Sequence, residues 1–267
     1  RDVLSPSHGQ PPRPFRIPAG FWQAIDAASF PRTRAAGPDP RREETHMGMG
    51  FLTAGGKCFC MDDGPGVSPA VSMDRLAARI ATCTLCSLSL SRTRTVPGEG
   101  PVPSPLVFIG EAPGKTEDET GRPFVGRAGT ILTGLLAGCG LLRGEVFITS
   151  IVKCRPPANR APKRDEIAAC MPYLKAQIAL LSPRVLVPMG RSATMTLFDL
   201  YGIPFPSFRE VRGHAHAVRD DRSGRGMTII PVYHPAVITH NPPARQDLES
   251  DFRKLAAFIR SSPGDRK

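Results

Sequence analysis

Four cysteines are spaced as ligands of a metal centre. Cys83 and Cys86 form a CxxC pair, and Cys154 and Cys170 follow on either side of a Pro-rich turn. Four thiolates can close a tetrahedral zinc site or hold an iron–sulfur cluster, and the spacing is compatible with both. Four buried apolar cysteines without a ligand are the alternative. A disulfide framework is not expected, because the seven cysteines are an odd number and no export signal is recognisable.

A second group of residues capable of binding chemistry lies in one long loop. Residues 110–114 read GEAPG and residues 121–129 read GRPFVGRAG. An acid, Glu111, an aromatic ring, Phe124, and several glycines are typical of a tight pocket for a flat ring, because the aromatic side chain can stack while the glycines allow close backbone approach. Phe124 can alternatively be a plain core aromatic.

A sheet must position these residues. Four short apolar segments predict strands, at 106–109, 146–149, 185–188 and 227–230. Helical patterns separate them, near 128–138, 164–181, 190–199 and 246–260. This alternation predicts an α/β fold with three layers, α/β/α, around a central, mostly parallel four-stranded sheet. Sites in such folds lie outside the carboxyl ends of the strands, where the loop at 110–129 begins.

Composition restricts the function classes. The 267 residues contain 35 Lys and Arg against 24 Asp and Glu, a net charge of +11 that favours a polyanionic partner such as nucleic acid. No apolar run reaches the roughly 18 residues of a membrane span, so a membrane protein is excluded and the cell interior is the expected location. Residues 1–70 are rich in Pro and Gly and predict a disordered tail. The folded domain is expected over 71–262, starting near Met73.

The motifs, in this order, resemble those of the family 4 uracil-DNA glycosylases, the iron–sulfur branch of the uracil-DNA glycosylase superfamily. The resemblance covers roughly residues 73–260. It rests on the CxxC pair, GEAPG at 110–114, GRPFVGRAG at 121–129, VKCRPP at 152–157, Asn159 and Arg160, Cys170, YHPA at 233–236 and Asn241-Pro242. It implies a 4Fe-4S cluster on Cys83, Cys86, Cys154 and Cys170.

The resemblance also implies an activity. A monofunctional enzyme of this family flips uracil out of DNA and hydrolyses its N-glycosidic bond, which leaves an abasic site. The alternative function is an iron–sulfur nucleic-acid-binding module that has lost catalysis. A third interpretation is a zinc-stabilised phosphate-binding protein.

Individual roles follow from the resemblance. Phe124 would stack on the uracil, and His234 would donate a hydrogen bond to the uracil O2 as negative charge develops on the departing base. Glu111 would place the water or fix the hydrogen bonds of the pocket. The expected substrate-binding set is completed by Gly110, Ala112, Gly114 and Ser150. His234 can alternatively be a satisfied structural histidine, and Glu117 and Asp118 are either alternatives to Glu111 or loop caps.

Two positions depart from the patterns of the superfamily. Family members commonly carry Asn where this chain has Ser150, and a hydroxyl cannot make the paired contact of an amide with the uracil edge. We expect uracil still to be accepted, with looser discrimination or a bridging water. Ala112 stands where other branches carry Asp or Asn, so the sequence does not identify the general base. Because the leaving uracil anion is itself stabilised, a dissociative path with weak base assistance is compatible with this departure.

The remaining expectations concern DNA. Arg127, Arg155 and Arg160 are phosphate-contact candidates, and Asn241 belongs to the same expected DNA-binding set. Val237 or Ile238 would be an apolar wedge in the minor groove, or else part of an ordinary helix start. The expected partner is uracil-containing DNA, bound by a monomer on the cytoplasmic nucleoid. A sliding clamp would dock on the tail, although no motif there supports one.

Overall fold

The computed structural model describes residues 68–220 and 224–261. The predicted tail, with Cys58 and Cys60, lies outside the described residues except for its last three positions. Ser68 caps the first helix, because its hydroxyl accepts a hydrogen bond from the Val71 N–H, and the other two positions begin that helix.

A five-stranded sheet forms the centre of the molecule. Its strands are β1 Leu106–Gly110, β2 Phe147–Ser150, β3 Val185–Pro188, β4 His216–Arg219 and β5 Gly226–Ile229. The order across the sheet is β2-β1-β3-β5-β4. All neighbouring pairs are parallel except β4 and β5. The predicted mostly parallel sheet is therefore confirmed, with one strand more than the four expected.

The extra strand is β4, at the antiparallel edge. Only Val218 of its four residues is buried, and the others are half-buried or exposed. Such a strand lacks the continuous apolar run that made the other four recognisable.

Helices cover both faces of the sheet. In the described ranges they are α1 Pro69–Ala81, α2 Lys115–Thr120, α3 Arg127–Gly138, α4 Arg164–Leu181, α5 Arg191–Leu200, α6 Phe208–Val211, α7 Val237–His240 and α8 Ala244–Ser261. Short 3-10 turns occur at Ser87–Leu90, Arg143–Glu145 and Pro157–Asn159. In the part of the chain that the structure describes, none of the helices has the length and apolar character needed to traverse a bilayer.

Strand β1 shows how the three layers are built. Its side chains alternate between faces, because successive residues of a strand point in opposite directions. Val107 and Ile109 pack with α1, α4 and α5, while Leu106 and Phe108 pack with α3 and α8. All five residues of β1 are buried. The predicted α/β/α architecture is confirmed, and the ends of β1 and β2 open onto the candidate site.

Candidate active site and cysteine pocket

The carboxyl ends of the strands bring four predicted residues together. Gly110 ends β1 and lies in register with Ser150, which ends β2. A Cβ atom at position 110 would lie 2.5 and 2.7 Å from ring carbons of Phe124, and 3.3 Å from the Ser150 hydroxyl oxygen. His234 arrives from the loop after β5, and its ring centroid lies 5.5 Å from that of Phe124. These four residues, Gly110, Phe124, Ser150 and His234, are called the ring pocket below.

Phe124 is held in an uncommon backbone conformation. Its φ is +49°, in the left-handed region that side chains other than glycine rarely adopt. Gly129, in the first turn of α3, allows this geometry, because a Cβ atom there would lie 1.8 Å from the Phe124 carbonyl oxygen. The backbone therefore fixes the direction of a ring that is only 6% exposed.

His234 is arranged as a neutral hydrogen-bond donor. Burial lowers its pKa to about 4, so the ring is uncharged at neutral pH. Its Nδ1 accepts a hydrogen bond from the Ala236 N–H at 3.2 Å. A neutral imidazole that accepts at Nδ1 carries its proton at Nε2, which leaves Nε2 as the donor.

Glu117 organises the loop around Phe124. Its carboxylate accepts hydrogen bonds from the backbone N–H groups of Gly114 at 3.1 Å, Val125 at 3.0 Å and Gly126 at 2.8 Å. The side chain thus joins the start of α2 to the start of α3. Of the two interpretations offered for Glu117, loop capping is the one the contacts support.

The two neighbouring acids, Asp118 and Glu111, differ in whether their carboxylates have hydrogen-bond partners. Asp118 is 3% exposed and accepts hydrogen bonds from the N–H groups of Thr93 and Arg94, so it also holds a loop. Glu111 is half-buried, and its carbonyl accepts from the Val152 N–H at 3.3 Å. Among the described residues its carboxylate has no hydrogen-bond or ion-pair partner, which leaves it available for a ligand.

The four predicted cysteine ligands line one cavity. Cys83 and Cys86 follow α1, Cys154 follows β2, and Cys170 lies on α4; together they border about 290 Å³ of space that is partly open to solvent. Arg92 lines the same cavity and donates from Nη1 to the Cys154 sulfur at 3.2 Å. We call this region the cysteine pocket.

The cysteine pocket fits a thiolate-bound group by its chemistry. Burial raises the pKa of Cys170 to about 12 and also raises the pKa values of Cys86 and Cys154. Such thiols stay protonated unless a metal cation displaces the protons. Among the described residues no three His, Cys, Asp or Glu side chains are close enough to bind one metal ion. In a 4Fe-4S cluster each thiolate binds a different iron, so the four sulfurs need not converge on one point.

Lys153 connects the two pockets. The side chain is 1% exposed, and its Nζ donates to the Ser150 carbonyl at 2.6 Å and to the Thr149 hydroxyl at 2.7 Å. Burial lowers its pKa to about 8. No carboxylate of the described residues pairs with this ammonium, and Lys153 is one of the residues that line the cysteine pocket. A buried cation without a carboxylate fits beside an anionic metal–thiolate centre.

The expected phosphate contacts occupy different situations. Arg127 is exposed at the first position of α3. Arg155 is half-buried and donates from Nε to the Asn159 side chain at 2.7 Å. Arg160 forms two hydrogen bonds, at 2.8 and 2.6 Å, with the fully buried carboxylate of Glu166. The guanidinium of Arg160 therefore has a structural partner, and its contact with DNA stays a prediction.

The expected wedge follows His234 in the sequence. Val237 and Ile238 are half-buried in α7 and pack against the buried cluster that contains Phe124 and apolar residues of α3 and α8. Asn241 is exposed and ends the helix. Ala112 is half-buried beside the cysteine-side core. The segment does start a short helix after Pro235, and insertion into DNA stays a prediction.

Sequence reasoning missed several charged residues around these pockets. Arg143 donates to the Phe124 carbonyl and is bound by Glu99. Lys153 donates to the Ser150 carbonyl, and Glu166 binds Arg160. Only Lys153 carried a visible signal, because it interrupts the apolar run of residues 151–154.

Comparisons with known proteins agree on one family. The model of the Uracil DNA glycosylase superfamily matches residues 97–257. The chain is 43% identical over 185 residues to a type-4 uracil-DNA glycosylase from Sulfurisphaera tokodaii, covering 69% of this chain and 83% of that protein. A type-4 enzyme from Archaeoglobus fulgidus is 41% identical and is covered to 92%. A type-5 uracil-DNA glycosylase from Thermus thermophilus is less similar, at 32% identity, with 49% of this chain and 73% of that protein covered.

Proposed function

Because this chain belongs to the uracil-DNA glycosylase superfamily, on its type-4 branch, we propose that it excises uracil from DNA in base excision repair. The reaction hydrolyses the N-glycosidic bond and leaves an abasic site. The observation that carries the proposal is the contact of Phe124 with Gly110 and His234 at the strand ends. This arrangement offers a stacking face and a neutral donor to one flat heterocycle.

Phe124 supplies the binding energy for the flipped base. Extruding a nucleotide from the duplex costs a few kcal/mol, which stacking in a closed pocket offsets. The ring of Phe124 is fixed by its own backbone and by the close approach of Gly110. A fixed ring does not lose side-chain freedom when the base arrives, so more of the stacking energy contributes to binding.

His234 stabilises the departing base. Bond cleavage leaves negative charge on the uracil, and a donor already aimed at the developing charge stabilises the transition state more than the ground state. The Ala236 N–H fixes the tautomer in which Nε2 donates. A neutral imidazole donates to O2 without placing a full positive charge in the pocket, whose burial would disfavour that charge.

Glu111 and Ser150 complete the proposed chemistry. The Glu111 carboxylate would hold the attacking water or stabilise the positive charge on the sugar, because it is half-buried and has no partner in the described parts of the chain. Ser150, beneath the base edge, would read uracil through its hydroxyl as donor or acceptor. Gly114 and Ala112 lie on the loop that shapes the same side.

We propose that Cys83, Cys86, Cys154 and Cys170 hold a 4Fe-4S cluster. When bound, such a cluster serves as a structural and DNA-positioning element that joins α1, the end of β2 and α4. Arg92 and Lys153 support it as hydrogen-bond donor and buried cation. Zinc is the competing group, and iron and acid-labile sulfide content separate the two.

The DNA surface belongs to the same proposal. Arg127 and Arg155 would contact phosphates, Val237 or Ile238 would fill the vacated stack, and Asn241 ends the same short helix. The enzyme would act as a monomer on the cytoplasmic nucleoid. A binding module without catalysis is disfavoured because the ring pocket retains both Phe124 and His234.

The test uses a labelled oligonucleotide with a single uracil. The purified protein is incubated with it, the product is cleaved with alkali, and the fragments are separated on a gel. We expect cleavage at uracil, none on the matched thymine oligonucleotide, and loss of activity in His234→Ala. A protein that binds the uracil strand without yielding an alkali-sensitive site would contradict the proposed activity and support the binding module.

A further inference from the structure

The backbone of Phe124 needs support from its surroundings. A residue other than glycine at positive φ is strained, and it persists only where neighbouring groups fix it. Glu117 holds the N–H groups of the next two residues, Val125 and Gly126. The carbonyl groups on the other side of the turn require separate partners, since a buried acceptor without one is unfavourable.

Arg143 supplies those partners. It lies in the 3-10 turn before β2, and its Nη1 donates to the Phe124 carbonyl at 2.9 Å while its Nη2 donates to the Pro123 carbonyl at 2.5 Å. The planar guanidinium holds its N–H donors in a fixed geometry. Two successive carbonyl groups that accept from the same guanidinium are therefore restricted in their rotation. The side chain of Arg143 is 20% exposed.

Glu99 fixes the guanidinium from the opposite side. Its carboxylate accepts from Arg143 Nη2 at 2.9 Å and from Nε at 3.2 Å. Its backbone forms both hydrogen bonds of an antiparallel bridge with Ile148 of β2. Burial alone would raise the pKa of Glu99, but hydrogen bonds from Arg122 and Arg143 lower it below its usual value. The backbone of Glu99 is therefore hydrogen-bonded to the sheet, and its ionised carboxylate fixes the position of Arg143.

Arg122 offers a contrast within the same cluster. It also pairs with Glu99, at 2.9 Å, but its side chain is 63% exposed. The guanidinium of Arg122 forms its hydrogen bonds with Glu99 and none with the carbonyl groups of Pro123 or Phe124. The two arginines therefore share the Glu99 carboxylate, but only Arg143 also donates hydrogen bonds to the turn at Phe124.

We infer that Arg143 is a positioning residue for Phe124: it fixes the turn at Phe124 to the sheet, so that the aromatic ring stays on Gly110 and beside His234. This inference rests on the proposed function only in its kinetic consequence. The effect on the turn itself is independent of catalysis. Arg143 acts through Phe124 and does not touch the base.

The experiment compares Arg143→Met with the matched control Arg122→Met in the full-length protein. Single-turnover excision is measured on the uracil oligonucleotide, and affinity is measured on a duplex with a tetrahydrofuran abasic site, which has no base to stack. We expect Arg143→Met to slow excision about 10- to 100-fold, as for a displacement of about 1 Å at a reacting centre, and to leave abasic-site affinity within about twofold. Arg122→Met should slow excision less than about threefold.

A double-mutant cycle distinguishes positioning from general destabilisation. In a Phe124→Ala background, Arg143→Met should change the excision rate by no more than about twofold, because the ring that it positions is gone. An undiminished loss in that background, or an Arg143→Met rate within about threefold of wild type, would overturn the inference. If Arg143→Met does not fold, Arg143→Lys keeps a charge beside Glu99 but cannot span both carbonyls, and the same comparison applies.

A structural readout separates this inference from the proposed function. Hydrogen exchange of the peptide containing residues 123–126 should accelerate at least about tenfold in Arg143→Met and stay unchanged in Arg122→Met. Unchanged exchange in both variants would overturn the positioning role even in an active enzyme. A wild-type protein that does not excise uracil, yet shows the accelerated exchange, would overturn the proposed function and retain the role of Arg143.

Discussion

Replacing Gly110 by alanine puts a methyl group where the ring of Phe124 lies. The added carbon would stand 2.5 and 2.7 Å from two ring carbons. Carbon atoms in favourable contact are about 3.5–4.0 Å apart, so the ring must retreat by about 1 Å. Gly110 does not have a positive φ, so alanine is acceptable to the backbone and the collision with the ring is the main effect.

The displaced ring should impair catalysis more than stability. A shift of about 1 Å in a positioning group costs roughly 100-fold in rate, or about 3 kcal/mol of transition-state stabilisation. Overpacking of this kind destabilises a fold by about 1–3 kcal/mol. We therefore expect Gly110→Ala to fold, to melt several degrees lower and to excise uracil about 100-fold more slowly in single turnover.

A glycine elsewhere provides the control. Gly134 lies on α3, and a Cβ atom there would meet nothing within 4 Å. Gly134→Ala should retain full activity and gain about 0.5–1 kcal/mol of stability. In a Phe124→Ala background, Gly110→Ala should lose most of its own effect. Wild-type excision rates in Gly110→Ala, measured with the folded fraction known from thermal melting, would refute the assigned contact between this strand end and the ring.

Three further predictions concern the other site residues. Because the His234 pKa is about 4 in the folded protein and about 6.5 when unfolded, the unfolded chain binds more protons between these values; unfolding in urea should show about 2 kcal/mol less stability at pH 5 than at pH 7.5 from this residue. This loss of stability at low pH should be absent in His234→Ala. If the variant showed the same pH dependence as the wild type, the assigned burial of the His234 ring would be contradicted. Ser150→Asn should raise the preference for uracil over other bases by restoring a paired amide contact; unchanged rates and base preference would show that this position does not read the base. Cys170→Ser should lose iron and visible absorbance, while the core variant Cys139→Ser, whose native sulfur donates to the Phe252 carbonyl, should keep both; equal iron content in the two would contradict the ligand assignment.

The strands that build the site were predictable because they are apolar throughout. Residues of β1, β2, β3 and β5 are buried almost without exception, as central strands of a covered sheet must be. Strand β4 has only a weak alternation of apolar and polar residues, so the sequence pattern did not predict it. The strand-end rule predicted a site where the loop at 110–129 begins. In the structure Gly110 at the end of β1 is in register with Ser150 at the end of β2.

The charged supports were not predictable from local patterns. Arg143 and Glu99 lie 44 positions apart in the sequence. The local sequence around each of them predicts only a solvated surface residue. The role of Arg143 and Glu99 depends on the turn at Phe124, and this turn is possible only because residue 129 is a glycine. Glu117 was recognisable as either acid or cap, and only its three backbone contacts decide in favour of the cap.

The order of the cysteines along the chain has a consequence for the entropy of unfolding. A metal centre bound by all four would close the chain between Cys83 and Cys170 into three loops, the longest from Cys86 to Cys154. On the chain-entropy model, closing a loop of about 70 residues restricts the unfolded state by about 4.4 kcal/mol. This longest loop contains β1, α2, α3 and β2, and with them Gly110, Phe124 and Ser150. His234 lies outside this loop, so release of the metal would restore conformational freedom in the unfolded state to the segment that carries Gly110, Phe124 and Ser150, and would leave that of the His234 segment unchanged.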